Sequence, residues 1–275
     1  MYDVKPPFAC PTTLPPMKRD NLRTLLTCKM DELPDDLKKI GEVHSDDLLN
    51  YVFCYDKFSG KDETLDLLMD MDVPVCPYCN RLYTFTSRGK NGATRPQFDH
   101  YLPKSKYPYY AVSILNLIPS CGLCNQSKHD EDDKMVLYPY SEEFGVDVVF
   151  RTKSKKKKRK FDYLIRDLDA KDDFKVVLKR SKRIRGTEFE ERVKNSIDIF
   201  HLQELYNGHK DYILHLFWIE QIFTETYMDS LSKLFPAIFP TAKDVKNWIY
   251  LMETDKEYWG KRSLSKLTHD IDAES

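Results

Sequence analysis

The chain has no run of apolar residues approaching the roughly 20 that a helix needs to cross a bilayer, so a helical membrane protein is excluded. Its start, Met1-Tyr2-Asp3-Val4-Lys5-Pro6-Pro7, lacks the apolar core of a secretory signal. The expectation is an intracellular, cytoplasmic protein with no membrane partner. Net charge is nearly absent as well. Lys and Arg number 43 against 44 Asp and Glu, a formal charge of -1 at pH 7, so the average charge singles out no polyanionic partner. Internal repeats are also lacking, which argues against a solenoid or array. Seven cysteines without a secretion signal read as reduced thiols or metal ligands, not as a disulfide framework.

What is present suffices for a folded core. The chain has 275 residues, 41% of them hydrophobic, enough for one large domain or two closely packed ones. Residues 1 to about 16 are rich in proline and read as extended. From about residue 18 to 72 the pattern is helical, with Ser45 a cap before Leu48, Leu49, Val52 and Phe53. Residues 75 to 134 change character, with short apolar runs, prolines, paired cysteines and a polar, glycine-containing loop at Ser87 to Gly92. Period-two alternation follows at Val146/Val148/Phe150, at Phe161/Tyr163/Ile165 and at Phe174/Val176/Leu178, which predicts a small antiparallel sheet. Beyond about residue 187 the pattern is helical again. There Tyr212, Leu216, Ile219, Phe223, Tyr227 and Leu231 form a stripe that reads as core or partner-facing surface.

Arg151 to Lys160 reads R-T-K-S-K-K-K-K-R-K and falls in the connection between the first two expected strands. Such a run can lie along a nucleic-acid backbone or be a solvated loop.

Cys10, Cys28 and Cys54 stand alone, whereas Cys76 with Cys79 and Cys121 with Cys124 form two C-x-x-C pairs. One such pair puts two thiolates on a tight turn, and a second completes a tetrahedron of sulfur around zinc. With four sulfur ligands no position is left for substrate, so the zinc is structural. Ordinary buried thiols are the bland alternative, and a redox C-x-x-C would leave one pair unexplained.

Between the pairs stand F-D-H-Y-L-P-K-S-K-Y-P, residues 98 to 108, and N-L-I-P-S-C-G-L-C-N-Q-S-K, residues 116 to 128. This order, preceded by C-P-Y-C-N, resembles the HNH endonucleases of the ββα-metal fold that carry a zinc knuckle. The resemblance covers Cys76 to Lys128 and not the whole chain. It implies that His100 is the general base, that Asn116 orients it, and that Asp99 and Asn125 hold the catalytic ion. Asn125 stands where many members of the family have the last histidine of the H-N-H name.

The residue types suit that chemistry. Phosphodiester hydrolysis needs a group to deprotonate water and a cation to neutralise the phosphate. Imidazole titrates near neutrality. Two hard oxygen donors, from Asp99 and Asn125, suit magnesium or manganese better than zinc. Lys104, Lys106 and Lys128 are expected phosphate contacts, since a lysine acts as a point charge without strict geometry. His129 adjoins the motif without an assigned role, and His201, His209 and His215 read as packing or surface residues.

The wording D-H-Y-L-P-K-S-K-Y-P followed by N-L-I-P-S-C also resembles the HNH subunits of Septu and retron-type anti-phage systems. That resemblance implies a DNA-cleaving effector working beside an ATPase or other sensor. RNA is the second substrate expected, and a non-catalytic zinc module binding nucleic acid or protein is the competing class. The architecture expected is α+β: a helical lead-in (1–74), a ββα-metal HNH core with zinc knuckle (75–135), a small β insertion with the basic loop (136–186) and a helical C-terminal flank (187–275).

Overall fold

A computed structural model describes residues 23–24, 26–29, 53–129, 134–154, 172–251 and 255–274. The architecture is α+β, as expected: among the described residues, helices and three separate two-stranded antiparallel sheets.

Residues 23–24 and 26–27 are helical, and α1 (Tyr55–Ser59) and α2 (Asp62–Met71) follow among the described residues. Ser45 and the proline-rich start lie outside the described residues. A hairpin follows, β1 (Ser87–Gly89) on β2 (Gly92–Thr94), where a loop was expected. Its turn is Lys90-Asn91, and Gly92 takes φ +135°, a backbone state that costs glycine little. Short exposed strands bury nothing, so no apolar alternation announced them.

The central unit is β3 (Gln97–His100) paired with β4 (Leu117–Ser120), followed directly by helix α3 (Gly122–Lys128). In the register Asp99 lies opposite Ile118 and His100 opposite Leu117. Strand periodicity puts Phe98 and His100 on one face and Gln97 and Asp99 on the other. Phe98 packs with Leu68 and Leu117 under α2, while Gln97 and Asp99 meet α3.

The third sheet is β5 (Val148–Ser154) on β6 (Phe174–Arg180). Phe161, Tyr163 and Ile165 lie outside the described residues, and Val148 pairs directly with Arg180 at the far end of β6. The basic run begins inside β5 and not in a connection, because Arg151, Thr152 and Lys153 are strand residues; Lys155 to Lys160 lie outside the described residues. Side chains cover both edges. Phe150 N–H donates to Asp270 at 2.8 Å and Thr152 N–H to Glu274, while Val176 N–H donates to Asn207 at 3.0 Å. Capped edges remove the donors that would otherwise recruit another strand.

The C-terminal part is helical: α4 (Glu188–Ile199), α5 (Leu202–Asn207), α6 (Lys210–Ile222), α7 (Glu225–Leu234), α8 (Ala242–Ile249) and α9 (Ser265–Asp272). The expected single stripe is divided between two helices. Tyr212, Leu216 and Ile219 belong to α6, and Tyr227 and Leu231 to α7. Thr224 starts the second helix by accepting a hydrogen bond from Tyr227 N–H at 3.3 Å. One apolar core joins Cys76, Tyr78 and Cys79 to Phe150, Phe174, Phe200 and Tyr206. No helix among the described residues is long and apolar enough to cross a membrane.

Candidate active site and metal centre

The four paired cysteines meet. Their sulfurs lie within 4.8 Å of one another, all four residues are buried, and Cys79 Sγ stands 4.0 Å from Cys121 Sγ. A tetrahedron with zinc–sulfur bonds of 2.3 Å has sulfur–sulfur edges of about 3.8 Å. The cluster could therefore hold a metal such as zinc, and the all-sulfur donor set fits one. Crowding acts on the thiols as well. Cys121 is held below the usual thiol range because Cys124, Cys76 and Cys79 hydrogen-bond to its sulfur, while Cys121 pushes Cys124 and Cys76 up. A dication relieves that competition by accepting all four as thiolates.

Local backbone explains the convergence. Val75 bridges Tyr83, Cys76 N–H donates to Leu82, and Asn80 N–H returns to Cys76 O at 2.8 Å with Asn80 at φ +48°. The turn points both thiols inward. Cys121 directly follows β4 as the N-cap residue of α3, and Cys124 lies in that helix's first turn. The cluster thus fixes the angle at which α3 leaves β4.

That angle sets the neighbouring polar groups. Asn125 and Lys128, three residues apart on α3, face Gln97 and Asp99, two apart on β3. Asn125 Nδ2 donates to Gln97 Oε1 at 2.8 Å, and Lys128 Nζ donates to Asp99 Oδ1 at 3.2 Å and to His100 O at 2.7 Å. Tyr78, from between the first two cysteines, donates its hydroxyl to Asp99 Oδ2 at 2.5 Å. Burial pushes the Asp99 carboxyl above the usual carboxylate range, against the Lys128 ammonium and the Tyr78 hydroxyl, which pull it down.

His100 emerges on the opposite strand face. Its Nε2 lies 3.0 Å from Ala111 O, and its ring meets Tyr55 edge-on at 4.5 Å. A carbonyl only accepts, so Nε2 carries the proton and Nδ1 is the basic atom of the ring. Asn116 stands behind this arrangement, wholly buried. Its side chain accepts from Leu102 N–H at 2.7 Å and donates to Leu102 O and Tyr110 O. It therefore holds the β3–β4 connection, including the backbone beside Ala111.

Asp99, His100 and Asn125 line one cavity of about 580 Å³, together with Arg95, Gln97, Lys104 and His129. Asn116 lies outside its lining and acts on it only through the backbone. Lys104 is exposed at the rim, over the Tyr55 ring, and Lys106 is exposed on the same connection. Lys128, expected to meet phosphate, has a side chain 2% exposed and ion-paired to Asp99. Sequence reasoning passed over Tyr78, Gln97 and Arg95. Gln97 could have been found, since period two on a strand puts it on the face of Asp99. His209 accepts from Arg81 Nε at 2.9 Å, a packing role.

The fold and cluster define an α+β protein with a buried four-cysteine site beside a polar cavity. No family model matches the chain, and neither does any solved structure. It is similar to Septu protein PtuB of Bacillus thuringiensis, 33% identical over 75 residues, which make up 27% of this chain and 27% of that protein. It is also similar to protein ea31 of Escherichia phage lambda, 31% identical over 81 residues, 28% of this chain and 23% of that one. The chain thus spans about a quarter of the length of each of these curated relatives.

Proposed function

We propose that this chain is a metal-dependent nuclease of the HNH type acting on DNA, with a ββα-metal core and a structural zinc. The observation that supports it is the cavity that gathers Asp99, His100 and Asn125 from β3 and α3, next to the cysteine cluster. The order of β3, β4 and α3 is that of a ββα unit.

Asp99 and Asn125 would hold a magnesium or manganese ion. The donors fit, being hard oxygens: the Asn125 amide donates to Gln97 through nitrogen, which leaves its oxygen as the ligand, and of the roughly four lone-pair sites on a carboxylate Tyr78 and Lys128 take only part. When bound, the ion supplies charge neutralisation at the scissile phosphate. His100 takes a proton from water at Nδ1, and Ala111 O stabilises the imidazolium through Nε2–H. Asn116 is a positioning residue, acting through the backbone that presents Ala111 O. Arg95, Lys104 and Lys106 draw the phosphate backbone to the cavity. The similarity to a Septu protein supports a role as effector nuclease in anti-phage defence, beside an ATPase or sensor partner in the cytoplasm.

The test is plasmid nicking and linearisation with magnesium or manganese, using wild type and His100→Ala and measuring zinc in both. Matched single-stranded DNA, duplex and RNA substrates serve as further arms. Loss of a general base lowers the rate by about 10²- to 10⁴-fold, with zinc retained. Cleavage undiminished in His100→Ala sinks the assignment, and preferential cleavage of RNA moves it to the ribonuclease reading.

A further inference from the structure

Tyr83 and Phe85 leave the cysteine knuckle as a stacked pair, ring centroids 4.6 Å apart and planes 13° from parallel. They are 50% and 58% exposed. Two large rings stacked on each other in solvent are an uncommon use of aromatic surface, since burying them would stabilise the fold. The segment around them is charged in one sense only. From Asn80 to Phe98 it carries Arg81, Arg88, Lys90 and Arg95 and no acidic residue, in a chain whose formal charge is -1. The β1–β2 hairpin links the stack to the cavity: Phe85 lies two residues before Ser87, which pairs with Thr94, the neighbour of the cavity residue Arg95.

We propose that the Tyr83–Phe85 stack is a platform for an unpaired nucleobase, with the hairpin's basic residues following the adjoining phosphates toward the cavity. Stacked aromatics beside cationic side chains are the arrangement that binds single-stranded nucleic acid without reading sequence, because every base offers a π-face. Lys90 at the hairpin turn and Arg95 at its foot supply the charge complementarity. Arg88 is held by Asp66 and Asp62 of α2, at 3.0 and 3.8 Å, so Lys90 and Arg95 carry the charge offered to a phosphate. The proposal rests on the nucleic-acid reading of the cavity and deepens it: the enzyme would act where a duplex is open, at a flap, a bubble or a single strand.

The experiment is fluorescence anisotropy with a labelled single-stranded DNA oligonucleotide and the matched blunt duplex, in a His100→Ala background so that nothing is cut. Phe85→Ala should weaken single-strand binding by about 5- to 150-fold, the range of one lost base–aromatic stack, and change duplex binding by less than about twofold. Phe85→Leu keeps apolar bulk but removes the π-face and should lose as much, whereas Phe85→Trp should retain binding. Zinc content confirms that the knuckle is intact in each variant. Single-strand binding unchanged in Phe85→Ala overturns the proposal, as does Phe85→Leu binding like the parent, which would make the stack an apolar protein contact. Cleavage by the otherwise wild-type chain separates the two claims: cleavage with normal Phe85→Ala binding sinks the platform alone, and tight binding without any cleavage sinks the nuclease alone.

Discussion

Replacing Lys128 with methionine tests the electrostatic arrangement beneath the cavity. Lys128 and Asp99 form a pair with side chains 2% and 3% exposed, so the substitution leaves a carboxylate buried with Tyr78 as its remaining side-chain donor. It also removes the donor to His100 O. Breaking one side of a buried pair costs about 3 to 5 kcal/mol, which for a chain of this size lowers Tm by roughly 6 to 20 °C. The pH dependence carries a sign. Burial already raises the Asp99 carboxyl, and Lys128 is the largest of the opposing causes, so its removal raises the group further. A carboxyl whose folded-state pKa exceeds the unfolded one binds its proton more readily when folded, so that stability is present at low pH and lost as pH rises. The penalty of Lys128→Met is therefore greatest at pH 7 and shrinks as pH falls toward the usual carboxylate range, near 3.9. Urea unfolding of both proteins from pH 7 downward measures it. A penalty below about 1 kcal/mol at pH 7, or one that grows as pH falls, refutes the reasoning. Asp99→Asn added to Lys128→Met should restore part of the loss, since it removes the stranded charge.

Cys124→Ser should lose the zinc and destabilise the chain by more than about 4 kcal/mol, and a chelator should do the same to wild type; zinc analysis and thermal melts check both. Asn116→Ala leaves Leu102 N–H and two carbonyls without their buried partner, at about 1 to 3 kcal/mol for each unsatisfied group. Urea unfolding should register at least the cost of the stranded amide, and plasmid cleavage should slow because the shelf under His100 loosens.

The cysteine cluster was legible from spacing alone, because two C-x-x-C pairs whose sulfurs could share one metal must meet at one point whatever the rest of the chain does. The convergence of Asp99, His100 and Asn125 on one cavity was expected only through resemblance; spacing along a chain does not say which strand face meets which helix. Lys128 shows the limit. In sequence it is one more lysine in a segment expected to meet phosphate, but its place one helical turn beyond Cys124 carries it inward, and only the angle of α3 on β3 decides that. The β1–β2 hairpin escaped for the opposite reason: with both strands exposed, it has no apolar alternation to read. The C-terminal stripe divides at Thr224, whose hydroxyl caps the second helix, a break that apolar periodicity alone does not announce.

The position of Tyr78 explains why the C-terminal helices, remote in sequence, belong to the site. Tyr78, which lies between Cys76 and Cys79 of the cluster, donates its hydroxyl to Asp99, while its ring stacks on Phe200 at 4.5 Å. Tyr206 donates to Cys79 O, and Asn80 bonds Trp259 and Leu264 across the same turn. The knuckle is thus gripped on its outer side by the helical tail and on its inner side by the carboxylate that lines the cavity.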